Sequence, residues 1–187
     1  MGASDKICHH LHLAVQSGDD KILKAMNRKY SAQHYINLIN KIRKAKPGIA
    51  ISTDIIVGFP GETKAQFNNT LKLFKQLNLD QAFISRYSPR FGTAAAKLKD
   101  NVSPQEKKRR EDVLDAVLRD SALAHNKELL GKVITVLIEG QNRGGKLFGL
   151  SSNSKLITIA EKAKIGEFIK VKITKAREFG LEGEVVR

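Results

Sequence analysis

The chain has 187 residues, of which 33 are Lys or Arg and 19 are Asp or Glu, for a formal net charge of +14. This length predicts one large domain or two small ones. No run approaches the roughly 20 apolar residues that span a bilayer, and the start of the chain is polar, so we expect neither a membrane span nor a signal peptide.

The basic surplus extends over the whole chain, since residues 1–130 and residues 131–187 both carry more basic than acidic side chains. Such a surplus favours a polyanionic partner, nucleic acid before an anionic membrane. A surface that is simply rich in lysine is the alternative. The single cysteine, Cys8, excludes an internal disulfide and is consistent with the reducing cytoplasm, where we expect the protein to be located.

Residues 7–16 are predicted to form the first strand, with Leu11, Leu13 and Val15 on one face and His10, His12 and Gln16 on the other. The stretch from Cys8 to His12 also has the residue types of a zinc site. Its ends lie about 13 Å apart on a strand that rises roughly 3.3 Å per residue. Zinc ligands lie about 2.0–2.3 Å from one ion, so we expect no metal here and a polar face that lines a cavity.

Two helices are predicted next. The first is short and carries Ile22, Leu23 and Met26. The second begins at the capping residue Ser31 and ends before Pro47-Gly48. Its predicted buried stripe consists of Tyr35, Leu38, Ile39 and Ile42.

The segment Ser52–Thr63 is a β-branched run that ends in Gly58-Phe59-Pro60-Gly61. It predicts a buried parallel strand, and ligands of α/β folds bind at the carboxyl ends of such strands. Thr63 and Gln66 predict a capping box for the next helix. The predicted core face of that helix consists of Phe67, Leu71 and Phe74. A βα connection without any ligand is the alternative.

Ser52, Asp54 and Ile56 share one face of this second strand. Together with the polar face of the first strand, these residues could line the lumen of a barrel that holds a polar ligand. A core in which these polar groups satisfy one another is the alternative. A third strand is predicted over 82–87, and the order β-α-α-β-α-β implies a parallel sheet with right-handed crossovers.

Ser103-Pro104-Gln105-Glu106 predicts a capping box for a helix that ends near Gly131. Its predicted apolar stripe consists of Val113, Leu114, Val117 and Leu118. Five β-branched runs follow and predict a small β-barrel. They cover 133–138, 146–150, 156–159, 168–174 and 183–186.

The run 168–174 alternates Ile169, Val171 and Ile173 with Lys170 and Lys172. An apolar face opposite a basic face is typical of barrels that bind nucleic-acid phosphates, although a merely solvated face is the alternative. The barrel region contains few aromatic residues, so we expect recognition of backbone and shape more than base stacking. The expected RNA contacts are Arg143, Lys146, Lys170, Lys172, Lys175 and Arg177.

Three segments resemble, in order, signatures of the radical-SAM methylthiotransferases: residues 11–30, 53–63 and 87–93. Residues 131–187 are similar to the RNA-binding TRAM domain of that family. The resemblance implies an α/β fold, with the C-terminal half of a radical-SAM (β/α) barrel at 1–102, a linking helix at 103–130 and an all-β TRAM barrel at 131–187. The similarity is greatest to the branch that adds a methylthio group to C2 of an isopentenylated adenosine in the tRNA anticodon stem-loop, and weaker to the ribosomal-protein branch.

The resemblance also implies a binding site for S-adenosylmethionine. Its residues would be Gln16, Ser17, Arg28, Asp54, Ile56, Gly58 and Tyr87. Arg28 suits the methionine carboxylate as a charge-assisted donor. Gln16, Ser17 and Asp54 suit the ribose or amino groups, and the adenine would pack on Ile56 and Tyr87.

Members of the family hold two iron–sulfur clusters of the 4Fe–4S type on cysteine motifs that this sequence lacks. Reductive cleavage of S-adenosylmethionine needs a redox metal centre, and one cysteine does not supply the usual ligands of a cluster. We therefore expect no cluster in this chain and no catalysis by it alone. It would work with an N-terminal half supplied in trans or self-associate through open strand edges. The alternatives are a non-catalytic RNA-binding module and a fragment of a ribosomal-protein methylthiotransferase.

Overall fold

The computed structural model describes residues 7–186, and the polar start of the chain lies outside that range. The described chain divides into two compact units. One consists of His12–Pro47 and Ile51–Leu118. The other contains, of the described residues, 7–11, Gly48–Ala50 and 119–186. Within 7–186, no helix combines the length and the apolar character that a bilayer crossing requires.

A three-stranded sheet with the strand order β1-β2-β3 organises the N-terminal part of the chain. The elements are β1 (His10–His12), α1 (Asp20–Ala25), α2 (Ala32–Ala45), β2 (Ala50–Val57), α3 (Lys64–Leu77) and β3 (Gln81–Arg86). Strands β2 and β3 are parallel, in a register from Ser52 beside Gln81 to Val57 beside Arg86. The predicted element order is confirmed as a mixed α/β arrangement, and its extension to half of a barrel stays a prediction.

The first strand is shorter than predicted, because regular pairing stops at His12. The backbone N–H of Leu13 still donates to Ser52 O over 2.8 Å. At Val15, however, the N–H donates to the Thr53 hydroxyl rather than to a carbonyl. Gln16 restores the pairing as an isolated parallel bridge to Ile55.

The predicted helix caps are confirmed, whereas the buried stripes differ in detail. Ser31 caps α2, and Thr63 with Gln66 forms the capping box of α3. The core of α2 is formed by Tyr35, Ile36 and Ile39, and that of α3 by Phe67, Thr70, Leu73, Phe74 and Leu77. The predicted core residues Leu38, Ile42 and Leu71 are only half-buried. A spacing rule defines a helix face only to within about one residue, and the tertiary contacts select the centre of that face.

A short 3₁₀ helix at Ala94–Lys97 precedes the long helix α4, which spans Pro104–Lys127. The Ser103 hydroxyl accepts the expected capping hydrogen bond from Glu106 N, but the Glu106 carboxylate binds two arginines of the same helix instead of completing the box. Helix α4 ends before Gly131, because the N–H groups of Leu129 and Leu130 donate to carbonyls three residues back instead of four. Leu114, Leu118 and Ala122 are its fully buried apolar residues, while Val113 and Val117 are half-buried.

Five strands close a small barrel, as predicted. They are β4 (Val133–Gln141), β5 (Leu147–Ser151), β6 (Leu156–Ile159), β7 (Phe168–Arg177) and β8 (Gly180–Val185), in the order β4-β5-β6-β8-β7. All neighbours are antiparallel except β6 and β8. Alternate residues of these strands fill the interior. The core consists of Val136, Ile138, Ile157, Ile159, Val171, Ile173 and Leu181.

Candidate functional site

The carboxyl ends of β2 and β3 open into a cavity of about 620 Å³. This volume lies in the range of about 300–1,000 Å³ that is common for small-molecule sites. The walls come from the end of the β1 segment, the connection between α1 and α2, the two strands, and the chain that follows β3. The lining residues are Gln16, Ala25, Met26, Asn27, Arg28, Asp54, Ile55, Ile56, Phe59, Phe83, Ser85, Arg86, Tyr87, Ser88, Arg90, Thr93, Ala94 and Ala95.

Most of the residues that the sequence assigned to a cofactor site meet in this cavity. They are Gln16, Arg28, Asp54, Ile56 and Tyr87. They come from four separate segments of the chain, so the fold has brought them together. Their binding role stays a prediction, but a common cavity is what that prediction requires.

Gln16 occupies an unusual backbone position at the edge of the cavity. Its φ is +71°, in the left-handed region that costs a non-glycine residue about 1–2 kcal/mol. Two hydrogen bonds to β2 hold it there: its N–H donates to Asp54 O over 2.8 Å, and its carbonyl accepts from Ile56 N over 3.0 Å. The residue is only 7% exposed. A strained, buried polar residue that lines a cavity is well placed to contact a polar ligand.

Asp54 is oriented by a histidine on the neighbouring strand. His12 Nε2 lies 3.3 Å from Asp54 Oδ2, and His12 Nδ1 lies 3.0 Å from the Ser52 hydroxyl. The predicted polar faces of the first two strands therefore meet. Because the His12 and Asp54 side chains are about 40% exposed, at 42% and 39%, the pair contributes orientation more than stability.

Aromatic and apolar side chains form another wall of the cavity. Phe59 and Tyr87 make an edge-to-face contact with ring centroids 5.2 Å apart, and Ile56 and Phe83 also line the cavity. The Tyr87 hydroxyl is buried and has no hydrogen-bond partner within residues 7–186. An unsatisfied buried hydroxyl costs about 1–3 kcal/mol, so the packing of the Tyr87 ring offsets a polar penalty at its hydroxyl.

Positive charge dominates the lining, since Arg28, Arg86 and Arg90 stand against the single carboxylate of Asp54. Guanidinium groups suit carboxylate and phosphate groups through charge-assisted hydrogen bonds. Arg86 also lies 3.5 Å from Glu111 of α4. A small ligand with an anionic group and an aromatic ring would match the charges and the apolar wall.

Two predicted site residues lie outside the cavity lining. Ser17 is fully buried, and its hydroxyl lies 3.3 Å from the Thr70 hydroxyl and accepts from Asp19 N. Gly58 has a φ of +70°, and its N–H donates to Glu62 Oε2 over 2.7 Å. In the structure these contacts hold the turns behind the cavity, and any contact of either residue with a ligand stays a prediction.

Apart from Tyr87, sequence reasoning missed the contribution of β3 and the segment after it. Phe83, Ser85 and Tyr87 lie at alternate positions, and all three line the cavity. The two-residue period that was applied to β1 and β2 would have found this face as well. Arg86, the last residue of β3, is out of phase with that alternation, and the approach of Arg90 to the cavity depends on the path of the loop, so neither carried a comparable signal.

The candidate RNA-binding surface lies on the barrel. Lys170 and Lys172 are exposed on β7, while Val171 and Ile173 point into the core, so the predicted alternation is confirmed. Arg143 and Lys146 belong to the β4–β5 turn region, and both are exposed.

Glu182 on β8 partly neutralises the remaining basic residues. Arg177 bonds to it over 2.7 Å, and Lys175 is its register partner. Arg177, followed by Lys175 and Lys146, lowers the pKa of the Glu182 carboxyl. On β7, Lys170 and Lys172 lie farther along the strand from the Glu182 carboxylate than Lys175 does, and Lys172 is the register partner of Glu184. The RNA role of all six residues stays a prediction.

The described residues offer no ready metal site. Within 7–186, no three His, Cys, Asp or Glu side chains converge as metal ligands would. Cys8 is exposed, and both ring nitrogens of His12 face the Ser52 and Asp54 side chains. The chemistry of the described donor set therefore does not match an iron–sulfur cluster, which several thiolates hold.

Comparisons with known proteins identify two family segments in the chain. Residues 3–74 match the radical SAM superfamily, and residues 127–186 match the TRAM domain. Over its full length the chain is 42% identical to proteins named tRNA-2-methylthio-N(6)-dimethylallyladenosine synthase from Bacillus mycoides (strain KBAB4), Bacillus cereus (strain B4264) and Bacillus anthracis. It spans only 37% of the length of these curated relatives.

A solved structure has a similar fold. Coproporphyrinogen III oxidase from Escherichia coli, described as a radical SAM enzyme, superimposes with a TM-score of 0.52. The superposition covers 88% of this chain and 41% of the oxidase at 23% sequence identity. A likeness at that identity concerns the fold alone.

Proposed function

The chain is a relative of the radical-SAM methylthiotransferases, in which a radical SAM segment is followed by a TRAM domain, and we propose that it is the cofactor- and RNA-binding part of such an enzyme. The reaction would add a methylthio group to C2 of an isopentenylated adenosine in the anticodon stem-loop of a tRNA. The names of the relatives support the tRNA branch over the ribosomal-protein branch.

The cavity at the ends of β2 and β3 is the observation that carries the proposal. Its volume, its aromatic wall and its excess of arginines fit S-adenosylmethionine. Arg28 holds the methionine carboxylate, and Gln16 and Asp54 hydrogen-bond the ribose or amino groups. Adenine packs on Ile56 and on the ring of Tyr87.

The proposal assigns binding to this chain and places the electron source elsewhere. S-adenosylmethionine supplies radical chemistry only together with a reducing metal centre. Cys8 is the one cysteine of the sequence, and it does not fit the ligand set of a 4Fe–4S cluster. On this proposal the 187 residues do not catalyse the reaction by themselves, and the cluster ligands come from cysteines outside them.

The TRAM barrel binds the RNA. Its exposed lysines on β7 contact phosphates of the anticodon stem-loop. The proposed domain boundaries, at 102/103 and 130/131, separate the cofactor-binding part, the linking helix and this barrel. Strand β3 bonds to β2 along one edge and carries Phe83, which is 54% exposed. The other edge of β3, which has no strand beside it in the described sheet, is our candidate for pairing with a cysteine-bearing partner or with a second copy.

Calorimetric titration of the purified chain with S-adenosylmethionine tests the cofactor part. We expect binding by the wild type and at least 10-fold weaker binding by Arg28→Gln, because a charge-assisted hydrogen bond is worth about 1.5–3 kcal/mol. Lys29→Gln removes the neighbouring charge outside the cavity and should bind like the wild type. No binding by the wild type, or equal binding by Arg28→Gln, would reject this site.

A non-catalytic RNA-binding module is the second candidate, favoured by the lysines of β7. Mixing the chain with the cysteine-bearing N-terminal part of the Bacillus mycoides relative distinguishes the two. Methylthiolated tRNA from the mixture, with none from either part alone, supports the enzyme half. Retained tRNA binding without product supports the binding module.

A further inference from the structure

The basic run Lys107–Arg110 at the start of α4 divides into two buried and two exposed side chains. Lys107 is 6% exposed and Arg110 is 4% exposed, whereas Lys108 and Arg109 face solvent. The buried pair is spaced three residues apart and so lies on one helix face. Burial of a cation is costly unless it is paired and hydrogen-bonded, so the partners of these two residues indicate their purpose.

Arg110 holds the turn that follows β2. Its Nη1 donates to Glu62 Oε2 over 2.6 Å and to the Glu62 carbonyl over 3.1 Å. The same Oε2 accepts from Gly58 N over 2.7 Å, so the guanidinium, the carboxylate and the backbone of the turn form one hydrogen-bonded chain. Nε of Arg110 donates to Glu106 over 2.8 Å, and its guanidinium lies 5.4 Å from the Phe67 ring centroid.

Lys107 holds the segment that follows β3. Its Nζ donates to the Tyr87 carbonyl over 3.2 Å and to Asp100 Oδ2 over 2.6 Å, and it lies 5.2 Å from the Tyr87 ring centroid. The methylene stem crosses Gly58 so closely that a Cβ there would lie 2.3 Å from Lys107 Cγ. One lysine therefore touches both turns that end at the cavity.

We propose that Lys107 and Arg110 are positioning residues for the cavity, acting from α4 on the two turns whose side chains line it. Phe59 of the first turn and Tyr87 of the second belong to the lining. Lys107 and Arg110, which we together call the clamp, act on the backbone of both turns. The identity of the ligand, S-adenosylmethionine, rests on the proposed function. The clamp itself rests only on these contacts.

Two changes break the clamp while sparing the fold. Lys107→Met keeps the methylene stem over Gly58 and removes only the ammonium group. The double variant Glu62→Gln/Arg110→Met removes both charges of the buried pair together, which avoids leaving one of them uncompensated. Lys108→Met is the matched control, because Lys108 is exposed and the partners of its ammonium, Asp112 at 2.6 Å and Glu111 at 3.5 Å, lie on the same helix.

Calorimetry with S-adenosylmethionine and hydrogen exchange of residues 58–62 form the two arms of the test. We expect affinity to fall at least 10-fold in Lys107→Met and in the double variant, and exchange in 58–62 to rise at least 10-fold in the double variant. Lys108→Met should change neither quantity more than 2-fold. A merely structural role would lower the melting temperature without changing the affinity of the folded protein.

The two arms separate failure of the clamp from failure of the proposed function. Wild-type affinity and wild-type exchange in the double variant would overturn the clamp. If the wild type itself does not bind S-adenosylmethionine, the proposed cofactor role fails, and the exchange arm alone decides: faster exchange in 58–62 of the double variant supports the clamp, and unchanged exchange overturns it.

Discussion

Arg110 and Glu62 are joined by a 2.6 Å hydrogen bond although their side chains are only 5% and 1% exposed. Burial raises the pKa of the Glu62 carboxyl, whereas the Gly58 N–H and Arg110 act in the opposite direction. A pair of this kind gains little over an apolar pair, but either partner alone is a buried and uncompensated charge. The conformation of the turn after β2 therefore depends on a residue of α4.

We expect Arg110→Met to lower the free energy of unfolding by about 3–5 kcal/mol, because the Glu62 carboxylate loses its cation in a buried site. Glu62→Gln/Arg110→Met should cost clearly less than Arg110→Met. Urea denaturation followed by circular dichroism measures both. A loss below about 1 kcal/mol for the single variant would contradict the buried ion pair.

Gly58→Ala should be more damaging than Gly61→Ala. Both glycines have a positive φ, +70° and +83°, which costs an alanine about 1–2 kcal/mol. Only at Gly58 does the added Cβ also meet Lys107 Cγ, at 2.3 Å, while Gly61 has nothing within 4 Å. Thermal unfolding of the two variants should thus give the larger decrease in melting temperature for Gly58→Ala, and equal decreases would show that Lys107 does not pack on this turn.

The acid sensitivity of the fold should depend on Glu106. Hydrogen bonds from Arg109 and then Arg110 lower the pKa of its carboxyl from 4.5 to about 2. A pKa that folding lowers stabilises the fold above the unfolded value, and that stabilisation is lost as the pH falls from about 4.5 to about 2. Glu106→Gln should therefore be less stable than the wild type at pH 7, with the difference shrinking toward pH 2. A difference that stays constant over this range would contradict the lowered pKa.

The exposed lysines of β7 should control the affinity for tRNA. Lys170→Glu/Lys172→Glu should weaken binding and reduce the slope of log K against log salt concentration by ~1.4–1.8, the contribution of two phosphate contacts. Lys64→Glu/Lys72→Glu on α3 makes the same change in net charge at exposed positions of the other unit. Equal losses in both double variants would indicate a general charge effect and argue against a defined surface on the barrel.

Local patterns in the sequence predicted much of the fold. The two-residue alternation along β7 and the capping residues Ser31 and Thr63 depend on neighbours a few positions away, and the structure agrees with each. The meeting of His12 with Asp54 followed from the same alternation on two strands. Such features are encoded within one element or between two adjacent strands.

Long-range contacts account for what the sequence did not predict. Lys107 and Arg110 belong to a run of four basic residues, which by itself favours a solvated helix face. Their burial depends on Tyr87 and Glu62, 20 and 48 residues away. The Ser17 hydroxyl likewise bonds to Thr70, 53 residues away, so the strand pattern could not predict where the Ser17 side chain points. Only the folded chain reveals these partners.

The assignment of the β2–β3 cavity to S-adenosylmethionine is tested most directly by amide chemical shifts of the ¹⁵N-labelled chain during titration with the cofactor. We predict saturable shifts at Gln16, Arg28, Ile56 and Tyr87, with the barrel strands of 133–185 unchanged. No shifts at saturating cofactor, or shifts confined to the barrel, would contradict it.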